Sequence, residues 1–457
     1  MYFIGIGGIG MSALARYFNS KGVAIYGYDK TSTTLTGELI AEGMDIHFED
    51  NAQLIKPEVR DAKSETLVVY TPAVPSSHTE LKYFSENNFS MIKRAALLGL
   101  LTKNNYTIAV AGTHGKTTTS CLIAHILTET GQNCSAFLGG IAKNFHSNLV
   151  LSKNNIGTPM MVVEADEYDR SFLNLHPNAA IVTSIDPDHL DIYGNKEQMN
   201  ASYRQFVAQV KENGVLINRK NLPVKTDKKH IEYSVVTSAD YHAENIRVVN
   251  HENIFDIKWE GGVVKDVSSR MAGKHNVENT LAAFACAHFV GLKPEEVKDA
   301  IKKFTGVERR FDLRFRNDKV VCIDDYAHHP EELRACINSV KELYVGKKIT
   351  GIFQPHLFSR TRDFVDGFGE VLSLLDTLIL LDIYPAREEP IPGVTSEIIL
   401  NKVNTRKKIM AKKNEVIQLL EENQPEVILT LGAGDIDRLV EPITKYLEKK
   451  YGNKNRY

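Results

Sequence analysis

The sequence predicts an α/β protein of three domains, each built on a mainly parallel sheet with helices on its faces. Apolar strands alternate with helical segments along the chain, and this alternation is typical of parallel sheets. The alternation restarts near residues 105 and 315, so that it forms three strand–turn–helix series. A chain of 457 residues is also too long for one ordinary core. We therefore expect domains at residues 1–104, 105–311 and 312–457.

The first series contains three short apolar runs that favour buried strands, namely Tyr2–Ile6, Ala24–Tyr28 and Thr66–Tyr70. The first run leads through a glycine turn at residues 5–10 into a helix from Met11 to about Lys21. The turn reads Gly-x-Gly-x-x-Gly, which lets backbone N–H groups approach a diphosphate at the positive end of a helix. Asp29 follows the second strand, where a dinucleotide-binding fold holds a ribose hydroxyl. By itself this pattern leaves open a nicotinamide or flavin, another diphosphate ligand, or a turn without a ligand.

The second series has strands predicted at Thr107–Ala111, Met160–Val163 and Ala180–Thr183. A second loop, at residues 112–118, joins the first of these strands to a helix with apolar residues at helical spacing. In a loop of this type Lys116 can reach the β- and γ-phosphates of a nucleotide, and the hydroxyl of Thr117 suits magnesium. The motif is not a complete Walker A sequence, because Val110 stands where its first glycine would be. Two phosphate loops in separate domains argue against a simple dehydrogenase, which needs only one.

Polar clusters follow the two later strands of this series. Glu164 to Glu167 come directly after an apolar strand downstream of the phosphate loop, where a Walker-B acid holds magnesium. Residues 186–191 contain His189 among three aspartates. This histidine could ligate a second metal or orient a phosphate, or it could form only a surface hydrogen bond. Because ligands of parallel sheets sit at the carboxyl ends of strands, both clusters indicate a site.

The third series has strands predicted at Val320–Ile323, Ile349–Phe353, Thr377–Leu381 and Val427–Leu431. The first strand is followed by residues 324–330, in which two adjacent histidines stand beside a tyrosine. Pro330 takes the first position of a helix there, and the glutamates after it favour the positive end of that helix. Arg360 and Arg362 follow the second strand, where guanidinium groups suit carboxylates or phosphates, with surface ion pairing as the alternative.

Composition argues against several classes of protein. The formal net charge is -2, so no global field draws the chain to nucleic acid or to an anionic membrane. The five cysteines lie far apart without a Cys-x-x-Cys pair, which argues against a zinc site or a disulfide framework and is typical of a reducing cytosol. The N-terminus lacks the pattern of a signal peptide, and the longest apolar stretch, Leu372–Leu381, is interrupted by Asp376. We therefore expect a cytoplasmic protein without membrane insertion.

Taken together, the motifs resemble those of the Mur ligases of peptidoglycan synthesis, and the resemblance extends from Gly5 to Gly434. The segments that carry it are GIGGIGMS at 5–12, GTHGKTTT at 112–119, EADE at 164–167, DHLD at 188–191, GKHNV at 273–277, RRF at 309–311, DYAHHP at 325–330, FQPH at 353–356 and DIYPA at 382–386. So many motifs in this order are specific, whereas each loop alone is not.

The resemblance implies a Rossmann-like N-terminal domain that binds a UDP-sugar, a P-loop ATPase-like central domain that binds ATP, and a Rossmann-like C-terminal domain that docks an amino acid. It is strongest for the alanine-adding branch of the family. That branch implies ligation of L-alanine to the carboxylate of UDP-N-acetylmuramate through an acyl phosphate, with ATP and two Mg²⁺ ions. Such an enzyme would serve cell-wall biogenesis, cell shape and cell division in the cytoplasm, as a monomer or weak dimer that binds no nucleic acid.

The resemblance also implies roles for individual residues. The UDP-sugar site would comprise Gly7, Gly8, Ile9, Gly10, Met11, Ser12 and Asp29. The ATP site would comprise Gly112, Thr113, His114, Gly115, Lys116, Thr117, Thr118, Asn276 and Arg310. Metal would be held by Thr117, Glu164 and His189, and the amino acid by Tyr326, His328 and Arg360. The catalytic residues would be Lys116, His189, His328, His329 and Arg360, with one of the two adjacent histidines as the base for the amine.

Two features depart from patterns in the family. Leu357 stands where the family usually has a basic residue, and residues 199–207 contain no lysine, so we expect no modified lysine beside the second metal ion. The alternatives are a recycling ligase that adds a whole peptide to the same UDP-sugar, a folate-polyglutamate ligase, an NAD-dependent dehydrogenase, and a nucleotide-switched binding protein without chemistry. The choice among alanine, serine and glycine also stays open.

Overall fold

The computed structural model describes residues 1–152, 159–186, 190–386 and 388–452, and the strands within them form three sheets. The chain is divided into two compact units. The first unit contains residues 1–246, 254–268 and 278–305. The second unit contains residues 247–253, 269–277 and the chain from 306 onward.

The N-terminal sheet consists of five short parallel strands in the order β3-β2-β1-β4-β5. The strands are β1 (Tyr2–Ile4), β2 (Tyr26–Tyr28), β3 (Asp45–His47), β4 (Leu67–Tyr70) and β5 (Ser90–Lys93). The helices are α1 (Ile9–Asn19), α2 (Thr34–Ala41), α3 (Pro57–Asp61), α4 (Thr79–Glu86) and α5 (Arg94–Lys103), with a 3-10 turn at Ala52–Leu54. The strand order reverses between β1 and β4, so the turns after these strands lie at the crevice where such sheets bind ligands.

The central sheet has ten strands in the order β15-β14-β13-β12-β11-β10-β6-β9-β7-β8. They are β6 (Tyr106–Ala111), β7 (Cys134–Ala142), β8 (Ser147–Val150), β9 (Met160–Glu164), β10 (Ala179–Val182), β11 (Val215–Arg219), β12 (Lys229–Ser234), β13 (Tyr241–Val249), β14 (Glu252–Trp259) and β15 (Gly262–Ser269). The helices are α6 (Lys116–Glu129), α7 (Leu190–Tyr193), α8 (Lys196–Ala208), α9 (Lys274–Phe289) and α10 (Pro294–Lys303), with a 3-10 segment at Tyr168–Asn174. Strands β7 and β9 to β12 run parallel to their neighbours around β6, and β8 pairs antiparallel with β7.

The C-terminal sheet has six strands in the order β16-β17-β21-β18-β19-β20. They are β16 (Asp312–Arg316), β17 (Val321–Asp325), β18 (Ile349–Phe353), β19 (Thr377–Leu380), β20 (Lys407–Met410) and β21 (Val427–Leu431). The helices are α11 (Pro330–Leu343), α12 (Phe358–Asp363), α13 (Val365–Leu372), α14 (Ser396–Leu400), α15 (Val416–Asn423) and α16 (Asp437–Tyr451), with a 3-10 turn at Lys413–Glu415. Only the edge strand β16 is antiparallel to its neighbour; the other pairs are parallel.

The central strands are apolar along their length because both faces of a parallel sheet are covered. Every residue of β10, β18 and β21 is buried. Successive side chains point to opposite faces of a strand. Accordingly Ile323 and Leu429 belong to one apolar cluster of the C-terminal sheet, and Cys322 and Ile428 belong to the other. The predicted fold class, α/β with three mainly parallel sheets, is confirmed.

Two further findings concern predictions made from composition. All five cysteines are buried free thiols. In the part of the chain that the structure describes, no helix combines the length and the apolar character that crossing a membrane requires.

Candidate active site

The glycine turn after β1 is held by Asp29, which follows β2. The Gly7 N–H donates to Asp29 Oδ2 at 2.8 Å. A Cβ on Gly7 would lie 2.7 Å from Thr36 Cγ2 and 2.9 Å from the same carboxylate oxygen, so a larger residue does not fit. Gly8 is the N-cap of α1, whose first turn carries no acidic side chain. The predicted UDP-sugar residues of this turn therefore surround a positive helix end that suits an anion.

The loop after β6 is fixed to the residues that follow β10. The hydroxyls of Thr113 and Ser184 hydrogen bond at 2.8 Å, and the His114 N–H donates to Ser184 Oγ at 2.8 Å. The Asp186 N–H donates to Thr113 Oγ1 at 3.0 Å. Gly115, with a φ of 81°, is the N-cap of α6, whose first turn also lacks an acidic side chain. Glycine adopts this backbone conformation without strain, and the loop presents a second positive helix end.

Lys116 is the first residue of α6, and its ammonium group is largely buried. Its Nζ donates to the Gly112 carbonyl oxygen at 2.6 Å and to Glu167 Oε1 at 2.8 Å. Burial opposes the charged form, but the carboxylates of Glu167 and Glu164 outweigh it and raise the pKa of Lys116 above its ordinary value. The Tyr193 hydroxyl donates to the Glu167 carbonyl oxygen at 2.6 Å. A fixed positive charge therefore lies beside the phosphate loop.

Oxygen atoms that could hold magnesium lie on Thr117 and Glu164. Glu164 ends β9, and its carboxylate packs against Gly139 of β7, where any Cβ would collide with it. Among the residues that the structure describes, no group of three or more His, Cys, Asp or Glu could hold a metal ion by itself. Hard oxygen donors together with the phosphates of a bound nucleotide fit Mg²⁺, which seldom relies on an all-protein cage. The predicted ligand His189 lies outside the described residues.

Helix α9 carries two asparagines with different contacts. Asn276 Nδ2 donates to the Ala272 carbonyl oxygen at 2.7 Å. The side-chain oxygen of Asn279 accepts from the Thr119 hydroxyl at 3.3 Å. A Cβ on Gly115 would strike that same oxygen of Asn279. Asn279 therefore borders the phosphate loop, although sequence patterns indicated only Asn276.

In the second unit, Asp325 connects two segments that carry predicted site residues. Its Oδ2 accepts from the Phe311 N–H and its Oδ1 from the Ala327 N–H, each at 2.7 Å. The guanidinium carbon of Arg310 lies 4.9 Å from the centre of the Tyr326 ring, which is a cation–π contact. Burial raises the pKa of Asp325 to about 6, and the charge of Arg310 opposes that rise. The structure thus brings the predicted residues Arg310 and Tyr326 together around the half-buried carboxyl group of Asp325.

The two adjacent histidines have different surroundings. His328 Nδ1 lies 3.0 Å from the Tyr326 carbonyl oxygen, which can only accept, so Nδ1 carries the proton and Nε2 is the acceptor. Burial and, to a smaller extent, Arg360 lower the pKa of His328 to about 4 against the opposing charge of Glu332, so the ring is neutral at pH 7. His329 is instead the N-cap of α11, where its Nδ1 accepts from the Glu331 N–H at 3.4 Å. The two histidines therefore differ: His328 is a neutral imidazole, and His329 caps a helix.

A third histidine, His356, lies between the predicted residue Arg360 and His328. Its Nδ1 lies 3.5 Å from Arg360 Nη1, and its ring centre lies 5.9 Å from that of His328. The His356 ring also stacks on Tyr384, with ring centres 5.8 Å apart. Leu357, which follows it, is buried and has a φ of 71°. Because an aliphatic side chain seldom adopts that conformation, the backbone here is strained in a way that is typical of functional sites.

Family models match most of the chain in three consecutive parts. They are described as Mur ligase family, catalytic domain, at residues 1–106, Mur ligase middle domain at 110–287, and Mur ligase, glutamate ligase domain, at 309–434. The chain belongs to the Mur ligase family. The family predicted from the sequence motifs is confirmed, and so is the predicted class of enzyme, a ligase.

Relatives of this Mur ligase match it over nearly its whole length. The UDP-N-acetylmuramate–L-alanine ligase of Parabacteroides distasonis is 52% identical over 98% of this chain and 97% of its own. The enzyme of the same name from Flavobacterium johnsoniae is 48% identical over 98% of each chain. Among solved structures, UDP-N-acetylmuramate–alanine ligase from Thermotoga maritima has a TM-score of 0.83 at 26% identity, covering 98% of this chain and 99% of that one. A murein peptide ligase from Psychrobacter arcticus shares the fold, with a TM-score of 0.71 at 22% identity over 100% of this chain and 99% of that one.

Four contacts in this Mur ligase involve residues to which sequence patterns gave no individual role. They are the contacts of Glu167, Asn279, Asp325 and His356. Glu167, Asp325 and His356 stand inside the motifs EADE, DYAHHP and FQPH, so motif membership was a usable signal. Asn279 stands one helical turn after Asn276, and residues three apart share a helix face. That spacing could have indicated it once α9 was recognised as a helix.

Proposed function

We propose that this Mur ligase joins L-alanine to the carboxylate of UDP-N-acetylmuramate, forming ADP and phosphate from ATP in peptidoglycan synthesis. The observation that carries the proposal is 52% identity over 98% of the chain to a relative of that name. Six further relatives of the same name are 45–49% identical, and each covers nearly the whole chain. Identity of this extent includes all three matched parts rather than the nucleotide loop alone.

The predicted domains divide the substrates among them in this proposal. Residues 1–104 bind the UDP-sugar, 105–311 bind ATP, and 312–457 dock the amino acid. The UDP diphosphate lies at the N-terminus of α1, and the ATP phosphates lie at the N-terminus of α6, because each helix end offers free backbone N–H groups. The absence of acidic side chains from both first turns supports these two anion sites.

The first chemical step activates a carboxylate that is otherwise a poor electrophile. A carboxylate oxygen of the sugar attacks the γ-phosphorus of ATP, the bond from that phosphorus to the bridging oxygen breaks, and ADP leaves. The reaction brings several negative charges together, so electrostatic stabilisation and positioning supply most of the catalysis. Lys116 supplies one positive charge, which its contact with Glu167 keeps beside the loop before the nucleotide binds.

The second step forms the amide bond. The neutral amine of L-alanine attacks the acyl carbon, and phosphate leaves from the tetrahedral intermediate with the acyl C–O bond broken. The proton of the amine passes to a base, for which His328 is better suited than His329. Its Nε2 is an acceptor in the tautomer set by the Tyr326 carbonyl oxygen, whereas His329 caps α11. Arg360, beside His356, supplies positive charge for the amino-acid carboxylate.

Magnesium would be held by Thr117 and Glu164, with His189 as the ligand of a second ion. When bound, Mg²⁺ would neutralise charge on the β- and γ-phosphate oxygens of ATP. The oxygen donors of Thr117 and Glu164 support this choice of metal over a softer ion. The five buried thiols support a reducing compartment, and we infer that the enzyme works in the cytoplasm.

Release of phosphate from ATP tests the proposal. The enzyme with Mg²⁺ is supplied with UDP-N-acetylmuramate and L-alanine, with each substrate alone, and with a tripeptide in place of alanine. We expect release only when both the sugar and L-alanine are present. Release that requires the tripeptide would instead indicate a ligase that recycles peptides, and absence of release with either would contradict the proposed ligation.

A further inference from the structure

Arg94 connects two loops of the first unit that belong to different sheets. It is the first residue of α5, and its Nη2 donates to Asp166 Oδ2 at 3.0 Å. Its Nη1 lies 2.8 Å from the position that a Cβ on Gly10 would take. The Arg94 side chain is 16% exposed and that of Asp166 is 40% exposed. The guanidinium group therefore lies between the first turn of α1 and the acidic loop after β9.

The Arg94 side chain lies close to Gly10. A side chain there would meet Nη1, Cδ and Cζ of Arg94 at 2.8, 3.4 and 3.5 Å, and could be accommodated only if the guanidinium group moved. In contrast, a Cβ on Gly8 would meet nothing closer than 3.5 Å. The third glycine of the motif thus leaves room for the guanidinium group of Arg94 beside the turn.

A second contact holds the same turn against the central sheet. Asn148 of β8 is fully buried, and its Nδ2 donates to the Ile9 carbonyl oxygen at 2.6 Å and to Ser12 Oγ at 2.8 Å. Arg16 Nη1 donates to Asn148 Oδ1 at 2.7 Å. Arg94 and Asn148 therefore lie on two sides of the first turn of α1. Asn148 belongs to the central sheet, and Arg94 is bound to a loop of that sheet, so a displacement of the turn would also displace these side chains.

Asp166 lies one residue before Glu167, the partner of Lys116. Its Oδ1 accepts from the Tyr168 N–H at 3.0 Å, and its carbonyl oxygen accepts from the Phe172 N–H at 2.8 Å. Through these two hydrogen bonds Asp166 is bound to the backbone of the acidic loop that carries Glu167. A short chain of contacts runs from Gly10 through Arg94 and Asp166 to the Lys116–Glu167 pair.

We propose that Arg94 is a positioning residue that couples occupation of the glycine turn by the UDP-sugar to the geometry of the ATP phosphate loop. The inference rests on the proposed function, which assigns these two ligands to the two loops. A path of neighbouring residues that includes the Arg94–Asp166 and Lys116–Glu167 ion pairs gives a physical route for such coupling. Coupling between two binding equilibria is reciprocal, so it can be measured from either ligand.

The test is calorimetric titration of the full chain with a non-hydrolysable ATP analogue and Mg²⁺, with and without saturating UDP-N-acetylmuramate. In the wild type we expect the sugar to change the affinity for the analogue at least tenfold. In Arg94→Met we expect that change to fall below threefold, while the affinity for the analogue alone stays within threefold of wild type. Lys93→Met is the matched control, because Lys93 stands next in the chain and pairs with Asp169 at 3.4 Å, and its side chain is more exposed than that of Arg94.

A second variant changes the other partner of the Arg94–Asp166 ion pair. Asp166→Asn keeps an acceptor for the Tyr168 N–H but removes the ion pair, so we expect it to weaken coupling in the same direction. The double variant should lose no more than Arg94→Met alone, since both changes break one path. Thermal unfolding checks that each variant folds.

Three results would overturn the inference. The first is full coupling in Arg94→Met, and the second is an equal loss of coupling in Lys93→Met. The third is a wild type that binds both ligands without any coupling between them. Failure of the wild type to bind UDP-N-acetylmuramate at all would instead contradict the proposed function on which the inference rests. The two failures are therefore distinguishable in one set of titrations.

Discussion

The Lys116 ammonium lies 2.8 Å from the Glu167 carboxylate, and the two side chains are 14% and 3% exposed. A buried charge is costly without a partner, so each group stabilises the charged form of the other. The pair holds Lys116 charged at the N-terminus of α6 before any phosphate arrives. When a γ-phosphate binds, the ammonium must contact a new anion while remaining near Glu167, which makes the pair part of the proposed nucleotide site.

Replacement of Lys116 by methionine should affect both catalysis and stability. We expect Lys116→Met to lower amide formation by about 10²–10³-fold, the usual effect of removing a charge that stabilises a transition state. The same change leaves Glu167 buried without its ammonium partner and should lower the free energy of unfolding by about 3 kcal/mol. Urea unfolding and product formation are the measurements.

The matched control is the double variant Lys116→Met with Glu167→Gln, in which no unpaired charge remains. It should recover most of the lost stability but none of the lost activity. Activity of Lys116→Met within tenfold of wild type would contradict the role of this ammonium group.

The two adjacent histidines should respond differently to asparagine. His328→Asn should lower kcat by at least about tenfold, because general-base catalysis contributes about 10²–10⁴-fold and the side chain is lost. His329→Ala should lower the free energy of unfolding by about 1 kcal/mol through loss of the α11 cap, and His329→Asn should restore it, since asparagine is a preferred cap. Steady-state kinetics and thermal unfolding separate these effects. A larger loss of kcat in His329→Asn than in His328→Asn would reverse the assignment of the base.

The carboxyl group of Glu80 should make stability depend on pH. It is fully buried, accepts from the Tyr2 hydroxyl at 2.7 Å, and lies 3.2 Å from His47 Nε2, with Asp50 nearby. Burial raises the pKa of Glu80 to about 7 from 4.5, so the folded protein holds the proton where the unfolded chain releases it. This contribution to stability is fully present below pH 4.5 and is lost as the pH rises through about 7.

The variant Glu80→Gln has no titrating carboxyl group at residue 80, so it should not lose this stability as the pH rises. We expect the stability of Glu80→Gln relative to wild type to increase by about 1–3 kcal/mol between pH 5 and pH 8, at about 1.4 kcal/mol per pH unit on the steep part. Glu86→Gln, on the exposed side of the same helix, is the control and should show no such trend. A relative stability of Glu80→Gln that is flat across this range would contradict the raised pKa.

Gly139 should control the position of the proposed magnesium ligand. Because a Cβ at residue 139 would collide with the Glu164 carboxylate, Gly139→Ala must displace that carboxylate. We expect the Mg²⁺ concentration for half-maximal activity to rise at least about fivefold, an affinity change of about 1 kcal/mol. Gly37→Ala is the control, because nothing lies within 4 Å of its added Cβ in α2. An unchanged magnesium dependence in Gly139→Ala would argue against Glu164 as a ligand.

The buried strands could be predicted from the sequence where each is a continuous apolar run. The predicted bounds of Ile349–Phe353 and Val427–Leu431 are those of β18 and β21, because a buried parallel strand is an apolar run that ends at polar residues. Strand β13 was not predicted. Its residues after Ala243 are exposed, and Arg247 separates Ile246 from Val248 and Val249, so no continuous apolar run marks the strand.

The features of the site that the sequence did not predict depend on contacts between residues that are distant along the chain. Glu167 stands 51 residues after Lys116, and only the packing of β9 beside β6 brings them together. His329 was predicted as a catalytic residue with its neighbour, yet its ring caps α11, a role more often taken by serine, threonine, aspartate or asparagine. The neutral state of His328 likewise depends on burial that the motif does not reveal.

The most direct test of the proposed chemistry is oxygen-18 transfer from UDP-N-acetylmuramate. The sugar, labelled in both carboxylate oxygens, is incubated with ATP, Mg²⁺, L-alanine and the enzyme, and the products are analysed by mass spectrometry. We expect UDP-N-acetylmuramoyl-L-alanine that retains one labelled oxygen, together with phosphate that has gained the other. Amide product with unlabelled phosphate would contradict activation through an acyl phosphate, and absence of the amide product would contradict the ligation itself.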